Sequence, residues 1–441
     1  MALLNFEPGP LVPTNSRLVV ALLILSSCIS SATLGYDGSM MSGLNILPAY
    51  ESYFALTPAT TALNTATVYI GQVIPCFFYG QVSDALGRKN AMAIAAVVTI
   101  VAVVLQTAAQ NVAMFAVSRI IIGIGNGATS IAGYVGGLIA SGITNGDQTD
   151  AATLVEFKSI SDTLKWEKEC GEMTVKEIVR TPSRRKRLML AISVAVFSML
   201  SGNNIVSYYL GTMLDGAGVT DTTTQLEINI IMNAWCLCIA LLGTYFMDKL
   251  GRKTMAIIST TLLTVFLFLY AGLNKLYGTS SNTSGIYASV AVIFLFQGSY
   301  SFGWTPLTVL YPPEVLNYSM RANGMAVYTF VVNCVGLFVT MVFPFAMDAI
   351  AWKTYIINSS WDVLELLYLI WAWVETRGKT LEEIDAIFDG HKHTEVPDVE
   401  QILHGTATVP GSVIEGIEPS NGSVDDVEEV GISLGKGKDG K

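Results

Sequence analysis

What most constrains this 441-residue chain is a succession of apolar runs too long for the core of a soluble domain. A bilayer core about 30 Å thick is crossed by a helix of about 20 apolar residues. On that measure ten segments are predicted to span: 18–45, 60–82, 90–109, 112–143, 187–212, 226–247, 254–274, 286–312, 324–347 and 352–374. Composition agrees, since 51% of the residues are hydrophobic and only 14% are charged, against about a quarter charged in soluble domains. Pro75, Pro306 and Pro344 fall inside runs, which membrane helices tolerate because neighbouring groups re-satisfy the freed backbone. The fold class expected is an all-α membrane protein.

Orientation follows from the basic residues, which favour the cytosolic side. Arg88 and Lys89 follow the second run, and Lys249, Arg252 and Lys253 follow the sixth. The stretch 144–186 is rich in Lys and Arg, whereas 46–59 and 213–225 contain none. Both termini are thereby placed in the cytosol. Residues 1–17 then form a cytosolic tail, 144–186 a linker of amphipathic cytosolic helices, and 376–441 an acidic, largely disordered cytosolic tail. Asn282, in an Asn-Thr-Ser triplet, would face outward as a glycosylation acceptor.

One charged motif is written twice. Asp-Ala-Leu-Gly-Arg-Lys at 84–89 recurs as Asp-Lys-Leu-Gly-Arg-Lys at 248–253, each copy closing an apolar run on the cytosolic side. Recurrence at the same depth and orientation implies two halves related by an axis along the membrane normal, one of the symmetries of secondary transporters. A tight basic turn would account for one copy, but less well for acid, Gly and base recurring in register.

Further motifs carry a resemblance. They are GQVSDALGRK (80–89), GYDG (35–38), SRIIIGIGNG (118–127), SGNNIVSYYL (201–210), GWTPLTVLYPPEVLNYSMRANGMA (303–326) and VETRGKTLEEID (374–385). In this order the chain resembles the sugar porter family of the major facilitator superfamily, particularly fungal lactose and hexose permeases. The resemblance implies a two-bundle fold of twelve helices, whereas the runs here number ten. The shortfall lies between the two hexapeptides, where four runs stand in place of six. Run 112–143 would be about 48 Å long as one helix, and reads as the fourth helix joined directly to a piece of the fifth. Missing too are the family's acidic Arg-Gly loop after helix four, its PESPRWL-like signature and the Gln-bearing segment of helix five. The organisation expected is an incomplete bundle over 18–143 and a six-helix bundle over 187–375.

The resemblance implies a transmembrane sugar transporter for a hexose or disaccharide, working as a proton symporter by alternating access. Ionisable groups inside spans cost about 2.5–3.5 kcal/mol on insertion scales and so need a reason. Asp37 and Arg119 are such groups, and the family links this acid–arginine pair to proton coupling. A static buried ion pair is the competing account. Sugar recognition calls for neutral amides, hydroxyls and aromatic faces. The candidates are Asn204, Tyr208, Tyr209, Gln297, Trp304 and Asn333, with Met199 standing where the family has Gln. For each aromatic, helix packing is an equally good explanation. At the cytosolic face Asp84, Arg88, Asp248, Arg252, Glu314, Arg321, Glu375 and Arg377 are read as an ion-pair latch between the halves, with positive-inside anchoring as the alternative.

The partners expected are the lipid bilayer, a sugar and a proton, with no nucleic acid, no cofactor and no metal. The protein is expected to be monomeric in the plasma membrane. Six cysteines are scattered, five of them in apolar runs, and the three histidines lie in the tail, so neither set suggests a metal site. No HExxH or Walker loop is present, and a GxSxG match at 431–435 falls in the acidic tail, which disfavours an enzyme or an ATP-driven pump. The shortened first half also admits a transporter-derived protein that no longer transports: a truncated or mis-spliced product, or a nutrient sensor.

Overall fold

A computed structural model describes residues 32–33, 35–78, 82, 86, 88–143, 175–277, 282–379, 384 and 387–388; for 88, 89, 130–143, 175, 318, 319 and 322 it describes the backbone only. The packing below lies within one compact unit made of 1–142 and 172–391.

The apolar runs emerge as helices because a chain without water around it must satisfy its backbone polar groups internally. Helix α1 covers 35–46, followed by a short α2, Pro48–Phe54. Helix α3, Pro58–Val73, begins with a reciprocal capping box between Thr57 and Thr60. It tightens into a 3-10 turn at Ile74–Phe77, with Pro75 in its first turn. Then come α4, Arg88–Thr107, and α5, Val112–Ile143, a single helix of 32 residues. The long fourth run is thus continuous through the place where two family helices were expected to be joined.

After the short α6, Val175–Arg180, the fifth run is divided into α7, Pro182–Leu200, and α8, Asn203–Ala217. The division falls at Gly202, whose φ of 83° is a left-handed conformation that glycine adopts without a Cβ clash. The rest are α9, Thr222–Leu250, α10, Arg252–Tyr277, α11, Thr283–Val315, α12, Tyr318–Ile350, and α13, Lys353–Ala372. Asp221 caps α9, and the two hydrogen bonds it receives from Thr224 hold its carboxyl below the usual range. Among the described residues, seven helical stretches are long and apolar enough to cross a bilayer: Asn90–Thr107, Val112–Thr129, Pro182–Ala217, Thr222–Leu250, Arg252–Tyr277, Thr283–Val315 and Asn323–Ile350.

Lipid-facing helices show the inverse of soluble logic. Large apolar side chains such as Ile100, Leu237, Leu241 and Trp371 point outward. Where lipid is as apolar as leucine, helices associate by close packing and internal hydrogen bonds. Gly71 of α3 lies against the Ile120 carbonyl of α5, and Gly123 of α5 against the Val68 carbonyl, so neither position has room for a Cβ. In the second helix set, α7 to α13, α10 packs on α11 and α13, α9 on α11, and α7 on α12. The aromatic core there anchors its polar edges. Tyr311 stacks on Trp373 at 4.3 Å, Trp373 donates to Ser193, and Tyr311 donates to the Val374 carbonyl. Past α13, Ile384 is buried again and Phe388 lies under the Arg187 guanidinium at 4.7 Å.

Gly71→Val or Gly123→Val is expected to separate α3 from α5, since overpacking costs roughly 1–3 kcal/mol or more where backbone blocks relaxation. Gly272→Val, with open space around it, should be tolerated. Thermal unfolding in detergent, followed by fluorescence-detected size exclusion, reads the difference; equal melting temperatures would contradict the contact.

Candidate functional site

The two helix sets meet along a seam built by α1 and α3 on one side and α8, α11 and α12 on the other. Its centre is Tyr208. The helix around it is distorted, with Tyr209 at φ −124°, ψ 30°, and the Tyr208 carbonyl accepts a hydrogen bond from Asn45 Nδ2 of α1 at 3.1 Å. The Tyr208 hydroxyl lies 3.0 Å from that of Tyr69 in α3, and the two rings meet edge to face at 6.4 Å. Tyr69 also packs against Gly336 of α12, where a Cβ would strike its ring. Tyr209 turns the other way and donates to the Thr340 carbonyl at 2.7 Å.

Neutral amides border this aromatic group. Gln297 Nε2 of α11 donates to Asn203 Oδ1 of α8 at 2.7 Å, and Asn333 sits one turn from Gly336 on α12. Three of their polar atoms are buried with no hydrogen-bond partner: Asn45 Oδ1, Gln297 Oε1 and Asn333 Nδ2. Leaving such atoms unmatched costs about 1–3 kcal/mol each, so a seam that presents three of them is suited to a hydroxylated ligand.

The structure divides the residues selected from sequence. Tyr208, Gln297 and Asn333 are on the seam. Asn204 instead spends its amide within its own segment, donating to the Met199 carbonyl at 3.1 Å across the α7–α8 break. Its neighbour Asn203 makes the inter-helix contact. Tyr209 is buried with its hydroxyl on backbone, so it fixes α8 to α12. Trp304 is fully buried, donates to Thr260 Oγ1 at 3.1 Å and packs between Phe197 and Trp373. It belongs to the second set's core, away from the seam. Asn45 and Tyr69, absent from the sequence selection, lie in runs whose polar residues carry no distinguishing pattern.

Beside the seam, Arg119 Nη1 of α5 lies 3.2 Å from Asp37 Oδ1 of α1. Arg119 is wholly buried, and its Nε and Nη2 have no other partner. Tyr208 lies within electrostatic range of both groups. Two further buried acids, Asp362 and Glu365 of α13, accept hydrogen bonds from Asn358 and Trp361. Their position inside the run 352–374 was the available signal, by the same reasoning that singled out Asp37.

At the end of α9 the second hexapeptide acquires a physical meaning. Gly251, at φ 94°, turns the chain between α9 and α10, and a Cβ there would collide with the Glu375 carboxylate. Glu375 accepts from the backbone N–H groups of Arg252 at 2.7 Å and Lys253 at 3.1 Å. It thereby caps α10 from a distant segment, where orphan N–H groups and the helix dipole favour a carboxylate. Arg252 bridges to Glu314 at 2.9 Å and to Asp248 at 3.2 Å, and Thr376 donates to Glu314 at 2.7 Å. Arg321 donates to the Leu316 carbonyl, and Arg377 is exposed. These pairs brace elements of the second set to one another. The latch between halves anticipated from sequence requires Asp84, which lies outside the described residues, and Arg88, whose side chain does.

Helices with lipid-facing apolar sides and a polar seam between two sets define a multi-pass membrane transporter of the major facilitator type. The pattern of the family described as "Sugar (and other) transporter" matches residues 23–133 and 141–388, and the chain belongs to that family. Over an alignment 468 positions long it is 24% identical to a high-affinity glucose transporter of Kluyveromyces lactis, covering 82% of this chain and 84% of that one. An MFS glucose transporter of Aspergillus flavus is 28% identical over 264 residues, covering 55% and 48%. Among solved structures, the proton:xylose symporter XylE bound to 6-bromo-6-deoxy-D-glucose aligns with a TM-score of 0.63 at 18% identity, covering 85% of this chain and 100% of that one.

Glu375→Ala is expected to leave the first N–H groups of α10 uncapped, costing about 1–2 kcal/mol. The melting temperature in detergent should fall clearly below that of the exposed-site control Arg377→Ala. Matching values for the two variants would refute the cap.

Proposed function

We propose that this sugar transporter carries a hexose or disaccharide together with a proton, by alternating access, with both termini in the cytosol of a plasma-membrane protein. The observation that carries the reading is the Asp37–Arg119 pair lying beside Tyr208, the residue at which the two helix sets meet.

The geometry supports a direct coupling. Arg119 is buried with Asp37 as its only charged partner among the described residues. A proton placed on Asp37 removes that compensation, and an uncompensated buried charge costs about 3–5 kcal/mol. The adjacent seam, held by Asn45, Tyr69 and Tyr208, can relieve the cost by moving. Sugar hydroxyls would pair with Asn45 Oδ1, Gln297 Oε1 and Asn333 Nδ2, atoms that the protein leaves unmatched. Binding and protonation would then act on the same contacts, so neither alone completes the inward rotation. The Glu375 cap and the Arg252–Glu314 pair would keep the second set rigid while it moves.

A second reading has its own support. The family match is interrupted at 134–140, inside α5, and the alignment to the Kluyveromyces lactis relative runs over 468 positions while taking in only 82% of this chain, so the relative carries residues that this chain lacks. Both favour a first half shortened by about two helices, in a protein that has lost transport.

Expressed in a yeast lacking hexose uptake, the chain should accumulate labelled sugar against a gradient when the medium is acid. Asp37→Asn should abolish accumulation while leaving sugar exchange. Correctly placed protein with no uptake would sink the first reading in favour of the second. Gln297→Leu should raise the KM about tenfold, the equivalent of one lost hydrogen bond of ~1.4 kcal/mol; an unchanged KM would remove Gln297 from the sugar site.

A further inference from the structure

Asp37 borders more than the seam. A partly open cavity of about 280 Å³ lies beside it, lined among the described residues by first-half elements: α1 with Thr33, α4 and α5. No described residue of the second set lines it, and neither do Asn45 or Tyr69, which join the two sets. The sugar path and this cavity therefore reach Asp37–Arg119 from different sides.

Its lining runs in depth. Gln106 and Thr107 lie at the last turn of α4, and Thr99 lies about 10 Å further down the same helix at 1.5 Å per residue. Asp37 and Asn126 contribute from α1 and α5. With the termini in the cytosol, as the transport reading above has it, the end of α4 is the outer end. The cavity then descends from the outer membrane surface to the carboxylate.

Its wall is mixed: Met40, Leu44, Val103, Phe115 and Ile122 are apolar, and a polar side runs beside them that can hold water. A site holds water if it is roomy and offers polar partners, and water occupies about 30 Å³, so roughly nine molecules would fit. Thr99, Gln106, Thr107, Asn126 and Asp37 supply those partners, and Gln106 Nε2 is buried without a hydrogen bond of its own. The ionisable groups around Asp37 are Arg119 from α5, Tyr36 beside it on α1, Tyr208 from α8, and Tyr50 of α2, which is within electrostatic range of Arg119. Helix α4 adds Thr99, Gln106 and Thr107 beside the apolar Val103, so among the described residues no second charge stands between its outer end and the carboxylate.

We propose that this cavity is a proton entrance separate from the sugar route: a water-filled path, lined by Gln106 and Thr99, from the outer surface to Asp37. A hydronium ion in it gives its proton to a carboxylate oxygen of Asp37 and is left as water. The inference rests on the symport reading, and its test separates the two.

Thr99→Cys, or Val103→Cys one turn further out should the first fail to fold, is treated in intact cells with a charged, membrane-impermeant methanethiosulfonate. The expected result is modification from outside at a rate that saturating sugar does not change, with Val97→Cys on the lipid face unmodified. This labelling does not require transport. Gln106→Leu should lose most of the sugar-driven alkalinisation of the medium while sugar exchange continues. A Thr99→Cys and Val103→Cys pair that stays unmodified, or that sugar protects, overturns the separate entrance while normal alkalinisation leaves the symport reading standing. Modified cysteines in a protein that shows sugar exchange without alkalinisation overturn both.

Discussion

Everything in this chain follows from placing a polypeptide where no water can pair with its backbone. Inside the bilayer each N–H and C=O must find a partner within the protein, so the apolar runs become helices and every departure from helix must be supported. The supports are specific. At the α7–α8 break, Gly202 takes the left-handed turn, and the Asn204 amide reaches back to the Met199 carbonyl. At the distortion near Tyr209, Asn45 of a different helix set binds the Tyr208 carbonyl. At the α9–α10 turn, Glu375 caps the opening of α10 from more than a hundred residues away. Irregular backbone in this molecule thus lies where helices meet one another.

The same constraint explains how the helices find each other. Lipid removes most of the hydrophobic drive for helix association, which leaves contact distance and hydrogen bonding to decide the packing. Gly71 and Gly123 let α3 and α5 approach to backbone contact. Buried Tyr and Trp rings carry their polar ends to carbonyls and hydroxyls, as Trp304 does with Thr260 and Trp373 with Ser193. Against this satisfied background the unmatched atoms of Asn45, Gln297 and Asn333 stand out. So does Arg119, a buried cation with a single acid beside it. The seam gathers three unmatched amide atoms where the two helix sets meet, which is the arrangement a mobile, ligand-binding interface requires.

Much of this was open to reading in the sequence. Where the residues are described, the apolar runs correspond in place to helices, because length and hydropathy alone decide whether a segment can live in a bilayer; 18–31 of the first run lies outside the described residues. The Asp37–Arg119 partnership was open to reading because charge inside a span is rare enough to demand an explanation. Choices within a motif were not. Asn203 and Asn204 are chemically identical neighbours, and only the helix break decides that one faces Gln297 and the other faces its own backbone. Trp304 has the chemistry of a sugar platform but faces the core between Phe197 and Trp373. Asp362 and Glu365 are charged residues inside a span as Asp37 is, but they lie in no family motif.

By itself the sequence determined a multi-pass helical membrane protein, its family motifs, the repeated hexapeptide and the intramembrane ion pair. These depend on composition along a single segment or on local spacing. Tertiary structure alone decided that Tyr208 is the meeting point of the helix sets and that Glu375 completes the second hexapeptide. It also decided that the acidic and basic residues there brace one set of helices, and that a first-half cavity reaches Asp37. The physical reason is that hydrogen bonds and ion pairs act over about 3 Å. Which groups come that close depends on how distant helices pack, and packing is written in the whole chain at once.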